Sequence, residues 1–180
     1  MREIVSMKPE YLLPSLELVE KVFTEHENAD EGRLVRSLVE EIRSKPNYLP
    51  ELELLMLEDG EPIGYVMFSR FHLGGQFSDR LLILTPAAVK TACQRQHISR
   101  DLIEYGFARA IKMGFTAAIV EGNPANYRSR GFVTSGNHGI VAGPNVHLPH
   151  PDCLMAKELV PGGLTGITGE VDYGMYDTLS

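Results

Sequence analysis

The stretch from Leu81 to Phe132 constrains this chain more than any other. Leu81-Leu82-Ile83-Leu84 is apolar at every position, the pattern of a central strand covered on both faces. It meets Thr85-Pro86, runs through Ala87-Ala88-Val89 and reaches a polar loop, Gln94-Arg95-Gln96-His97-Ile98-Ser99. From about Ser99 to Met113, Leu102, Ile103, Phe107, Ala110 and Ile111 recur along one helical side, and Gly114 ends the helix. Gly106 inside it costs roughly 1 kcal/mol against Ala, which implies close packing there. Thr116 to Val120 is a further strand, followed by a short turn that carries Tyr127 ahead of Gly131-Phe132. Strand, loop, helix and strand in this order turn the N–H groups of a helix N-terminus toward an anion.

The flanks fit one domain built around that unit. Glu3 to Met7 reads as an opening strand. From Pro9, Leu12, Leu13, Leu16, Val19, Val22 and Phe23 fall at helical spacing, and Leu34, Val35, Leu38, Val39 and Ile42 form a second such run before Pro46. Leu52–Leu57 and Ile63–Phe71 are strands joined by Glu58-Asp59-Gly60-Glu61, where Asp-Gly signals a hairpin. After Phe132 the pattern weakens: residues 133 to 150 show no period, and Leu154 to Leu159 is a last strand. The Gly-rich tail from about residue 160 is either a final extended segment or a partner-contacting one. No internal repeat or linker divides the 180 residues.

In order and in residues, the 81–132 stretch resembles the acyl-CoA-binding half of the GCN5-related N-acetyltransferases, most of all their small bacterial YhbS-like branch. The resemblance implies an α/β (α+β) fold, with a central mixed, mostly antiparallel twisted sheet of about six to seven strands flanked by helices. It implies acetyl-CoA as acyl donor and no metal. A strand interrupted by Pro86 cannot pair fully, which leaves main-chain groups of Ala88 and Val89 for the pantetheine arm. The family's pyrophosphate loop has the pattern Gln/Arg-x-x-Gly-x-Gly/Ala. The corresponding cofactor-binding residues here are Gln94, Arg95, Gln96, His97, Ile98, Ser99 and Arg100, with Asn123 and Asn126 toward the pantetheine arm. Gln94 keeps the first position, but His97 and Ser99 stand where glycines usually sit.

The resemblance also assigns Tyr127 as the acid that protonates the departing thiolate. A phenol of pKa about 10 remains protonated at neutral pH and can donate to a thiolate of pKa about 8.5. The amine must first lose a proton. Glu121 at the end of its strand, His72 on the neighbouring hairpin and a chain of waters are the alternatives.

A formal net charge of −7 argues against a nucleic-acid partner, which needs clustered Lys and Arg. Cys93 and Cys153 are too few for a disulfide scaffold, and no apolar run spans a bilayer, so a cytoplasmic protein without membrane contact is expected. His147, His150, Asp152 and Cys153 lie close in sequence, yet prolines at 149 and 151 splay them, and an ordinary loop is the better reading. The expected function is acetyl transfer from acetyl-CoA to a small-molecule amine or an exposed amino group, by direct attack. The alternative is a non-catalytic module of the same fold in which His97 has degraded CoA binding. A homodimer built through the tail is compatible with either.

Overall fold

A computed structural model describes residues 1–179. Strand β1 (Arg2–Ser6) leads into helices α1 (Leu12–His26) and α2 (Ala29–Arg43). Asn28 caps the start of α2: its side chain accepts from the Glu31 N–H at 2.8 Å, satisfying an end donor of that helix. Strands β2 (Glu53–Glu58) and β3 (Glu61–Arg70) form the expected hairpin, with Asp59 and Gly60 at φ of 50° and 87°. Two positive φ values in a two-residue loop match the twist of the flanking strands. Strand β4 (Leu81–Val89), α3 (Ile98–Lys112), β5 (Ala117–Glu121) and the one-turn α4 (Pro124–Tyr127) follow. The chain then forms β6 (Val133–Thr134), β7 (Ile140–Ala142), β8 (Leu154–Glu158) and β9 (Gly169–Val171).

Seven strands make one mixed sheet in the order β1-β2-β3-β4-β5-β8-β6, in which only β4 and β5 run parallel. Strand alternation divides the core between its two faces. Leu55, Tyr65, Met67, Leu81, Ile83 and Ile119 meet α1 and α2, while Leu54, Val66, Phe68, Leu82 and Ala118 meet α3. The inference about Gly106 holds. A Cβ placed on it would lie 2.4 Å from Cε2 of Phe68, so glycine brings α3 down onto β3.

One expectation needs correction. Pro86 does not interrupt β4, which continues to Val89 and stays registered on β3, Tyr65 opposite Ala88 and Gly64 opposite Val89. A register shift between Val66 and Phe68 absorbs the missing donor. The Gly-rich tail contains an extended segment, one of its two alternatives. β9 pairs with β7 in a separate parallel two-stranded sheet, and residues beyond it lie against α2. Residues 133 to 150 lack a period because β6 and β7 are only two and three residues long.

Candidate functional site

The site begins where two strands part. β4 and β5 pair only from Leu81–Ile83 to Ala117–Ile119; beyond that, β4 follows β3 while β5 follows β8. The right-handed twist of neighbouring strands widens any such separation. On the β5 side, Leu84 to Val89 therefore have no strand partner, although Ala88 and Val89 are paired toward β3. Two cavities open along this wedge, of about 710 Å³ and 490 Å³. Phe23, Glu27, Ala87, Asn126 and Tyr127 belong to the walls of both, so Tyr127 stands at their junction.

The smaller cavity gathers most of the predicted loop. Ala88, Val89, Gln94, Arg95, His97, Ile98 and Ser99 line it, together with Asn126. Arg95 and His97 adopt φ of 64° and 62°, the left-handed region that glycine enters most readily. The loop thus holds a glycine-like backbone path with side chains present. His97 is the N-cap of α3 and gives no side-chain cap, and the first intrahelical bond runs from the Asp101 N–H to its carbonyl. The N–H groups of Ile98, Ser99 and Arg100 therefore have no partner within the helix and carry its positive dipole end. Ile98 is itself buried and packs at Gly64, where a Cβ would stand 2.5 Å from its Cγ2. Gln94 donates to His26 Nε2 at 2.9 Å and to the Val89 carbonyl at 3.4 Å, tying the loop to α1 and to the end of β4.

Two loop side chains point elsewhere. Gln96 accepts from Arg2 of β1, and Arg100 pairs with its neighbour Asp101 at 3.1 Å. Neither lines the cavity.

Tyr127 is set by its neighbours on both sides. Its ring stands edge-on to Phe132, centroids 5.8 Å apart, and a Cβ on Gly122 would come within 2.8 Å of its Cε2. Burial pushes its phenol above the ordinary range, and the nearby Arg130 only partly opposes this, so it stays protonated at neutral pH. Asn123 caps α4, accepting from the Ala125 N–H at 3.0 Å, and lines the larger cavity with Glu121. His72 lies away from this place. It accepts from the Gly75 N–H at 3.1 Å and lines a separate cavity with Gly169 and Glu170.

Sequence spacing missed much of the larger cavity. Glu27 and Glu31 reach it from either side of the α1–α2 junction, Tyr173 and Tyr176 from the tail, and His147 from the aperiodic loop. His147 had drawn notice only as a possible metal ligand. Among the described residues no group of three His, Cys, Asp or Glu is arranged to hold a metal ion. Nor is any helix among them long and apolar enough to cross a membrane.

Known proteins share this architecture. YjhQ, an uncharacterized N-acetyltransferase of Escherichia coli K12, is 29% identical over 143 residues, covering 78% of this chain and 76% of its own. The solved structure of the GNAT family N-acetyltransferase YhbS of E. coli in complex with CoA superposes with a TM-score of 0.79 at 25% identity, covering 96% of this chain and 89% of that one. A Brucella melitensis GNAT family acetyltransferase in complex with acetyl-CoA has a TM-score of 0.74 at 22% identity, covering 100% and 99% of the two chains, and shares the fold. The model of the acetyltransferase (GNAT) family matches residues 16–136, which include the wedge, the loop and Tyr127. The chain belongs to the GNAT acetyltransferase family.

Proposed function

We propose that this protein is an acetyl-CoA-dependent N-acetyltransferase whose acceptor is a small cationic amine. The observation that carries the reading is Tyr127 at the junction of two cavities, one bordered by an uncapped helix N-terminus and the other by carboxylates. The loop fits a pyrophosphate: Arg95 and His97 already hold left-handed backbone, and three N–H groups of α3 lack helical partners. Acetyl-CoA, when bound, supplies a thioester that an amine attacks directly.

The chain's own residues divide the remaining work. Main-chain groups of Ala88 and Val89 hold the pantetheine arm, with Asn126 beside it. Gln94, Arg95, His97 and Ser99 surround the phosphates. Glu121 takes the proton that the ammonium must lose. Tyr127, protonated at neutral pH, donates to the departing thiolate. The larger cavity favours a cation, since Glu27, Glu31 and Glu121 line it and no Lys or Arg does.

The alternative, a non-catalytic module, rests on His97 in place of glycine. The left-handed φ at that residue weakens it, because the backbone path survives the substitution. Titration with acetyl-CoA followed by thiol release with a panel of primary amines separates the two. A ligand at 100 times its Kd stabilises the folded state by about 2.7 kcal/mol, which is visible as a raised melting temperature. Binding with turnover supports the enzyme, whereas binding without turnover, or no thermal shift at millimolar acetyl-CoA, overturns it in favour of the module.

A further inference from the structure

The tail passes over the larger cavity and is fastened at several points. After β9, the Gly143 N–H donates to the Val171 carbonyl at 2.9 Å. Further on, Lys45 Nζ donates to the Met175 carbonyl at 2.7 Å, and Glu41 on α2 accepts from the N–H groups of Asp177 and Thr178 at 2.8 and 2.7 Å. Between these anchors Tyr173 sets its ring edge-on to Phe71, centroids 6.3 Å apart, and its hydroxyl donates to Glu121 Oε1 at 2.7 Å. Tyr173 and Glu121 line the same cavity as Tyr127.

We infer that Tyr173 is a positioning residue for acetyl transfer, holding the Glu121 carboxylate on the acceptor side of the wedge. The inference rests on the reading of Glu121 as the proton acceptor and adds a residue from the tail to it. Glu121 is exposed at the last position of β5, and Tyr173 is the one donor to its carboxylate among the described residues. An exposed bond of this kind adds little to fold stability. Its effect is to select one arrangement of a side chain that otherwise samples several.

With Oε1 engaged by Tyr173, Oε2 is left to receive a proton from the acceptor. The ammonium N–H bond breaks, an O–H bond forms on the carboxylate, and nitrogen keeps the electron pair with which it attacks. Tyr173 keeps its own proton throughout, since burial and the adjacent Glu121 hold its phenol far above neutral pH. The other titratable groups facing this carboxylate across the cavity are Glu27, Glu31, Tyr127, His147 and Tyr176.

The test compares wild type, Tyr173→Phe, Glu121→Gln and the double variant. Tyr173→Phe keeps the ring on Phe71, and an unchanged melting temperature and acetyl-CoA affinity verify fold and donor site. With acetyl-CoA and 1,4-diaminobutane, Tyr173→Phe is expected to lower kcat about ten- to a hundredfold. KM for acetyl-CoA should be unchanged, so that the loss falls on kcat alone. In the Glu121→Gln background the same change should have no further effect. Wild-type kcat in Tyr173→Phe, or a loss that simply adds to that of Glu121→Gln, overturns the proposal. Absence of acetyl-CoA binding to wild type would instead defeat the proposed function. If acetyl-CoA binds but the diamine is not turned over, side-chain carboxyl NMR decides. A Glu121 carboxyl resonance displaced by Tyr173→Phe supports the positioning bond, and an unchanged resonance refutes it.

Discussion

His97 holds φ at 62° with a full side chain, a conformation that costs roughly 1–2 kcal/mol for a residue other than glycine. His97→Gly removes that strain but frees the unfolded chain by about 0.4–1 kcal/mol. The difference is a net stabilisation of about 0–1.6 kcal/mol, to be read as a raised urea midpoint with an unchanged slope. Acetyl-CoA should bind more tightly by calorimetry, because the loop spends less of its time elsewhere. Weaker binding would identify the imidazole as a phosphate contact. Tyr127→Phe makes the complementary case. It preserves the edge-on contact with Phe132 and deletes only the hydroxyl. If that hydroxyl is the acid, kcat falls at least about tenfold while the acetyl-CoA Kd is unchanged. Equal turnover leaves Tyr127 as a packing residue.

Among the elements, α3 shows how much of this fold is legible from residue pattern. Its apolar face, its Gly114 stop and the tight seat at Gly106 are all local signals, since each depends on spacing within a few turns. Gly106→Ala adds helix propensity worth about 1 kcal/mol but drives a methyl into Phe68, whose ring is already confined by Phe107 at 5.7 Å. Overpacking costs about 1–3 kcal/mol, so net destabilisation is expected in chemical denaturation. The clasp between α2 and the tail was not legible, because no period in the sequence links Glu41 to Thr178, 137 residues away. Burial alone would raise the Glu41 carboxyl, but hydrogen bonds from Lys45, Thr178 and Asp177 outweigh it and hold the pKa at about 2. A depressed folded pKa stabilises above the unfolded value of about 4.3 and loses that contribution as pH falls toward 2. Protection of the Asp177 and Thr178 amides against hydrogen exchange, taken relative to the intrinsic rate at each pH, should therefore fall between about pH 4 and pH 2, and at neutral pH in Glu41→Gln.

At the scale of the whole molecule, the residues that form the cofactor loop and Tyr127 are legible in sequence as one stretch, whereas the acceptor cavity is not. The wedge lies within one contiguous stretch, whereas the cavity draws Glu31 from α2, His147 from an aperiodic loop and Tyr173 from the tail. The same reason explains why the sequence pattern does not single out the buried Glu53, which bonds Arg43, Tyr48 and Tyr65 from within the Leu52–Leu57 run. Charge gives a testable consequence of the assembled cavity. With a net charge of −7 and carboxylates in the wall, diffusing cations are drawn in, and salt screens that attraction. KM for 1,4-diaminobutane should rise as ionic strength goes from 0.01 M to 0.15 M, while kcat stays level. A salt-independent KM would show that the acidic wall does not steer the acceptor.

The tail's path across the cavity also has a consequence in time. Tyr173 is translated 52 residues after Glu121, the carboxylate it bonds. On a ribosome that makes chain from the N-terminus onward, the wedge, its loop and Tyr127 can fold while the residues that cover the acceptor side are still inside the exit tunnel. Nascent chains stalled before residue 169 should therefore contain the donor half of the site without its cover, and acquire transfer activity only once the last segment has emerged and docked.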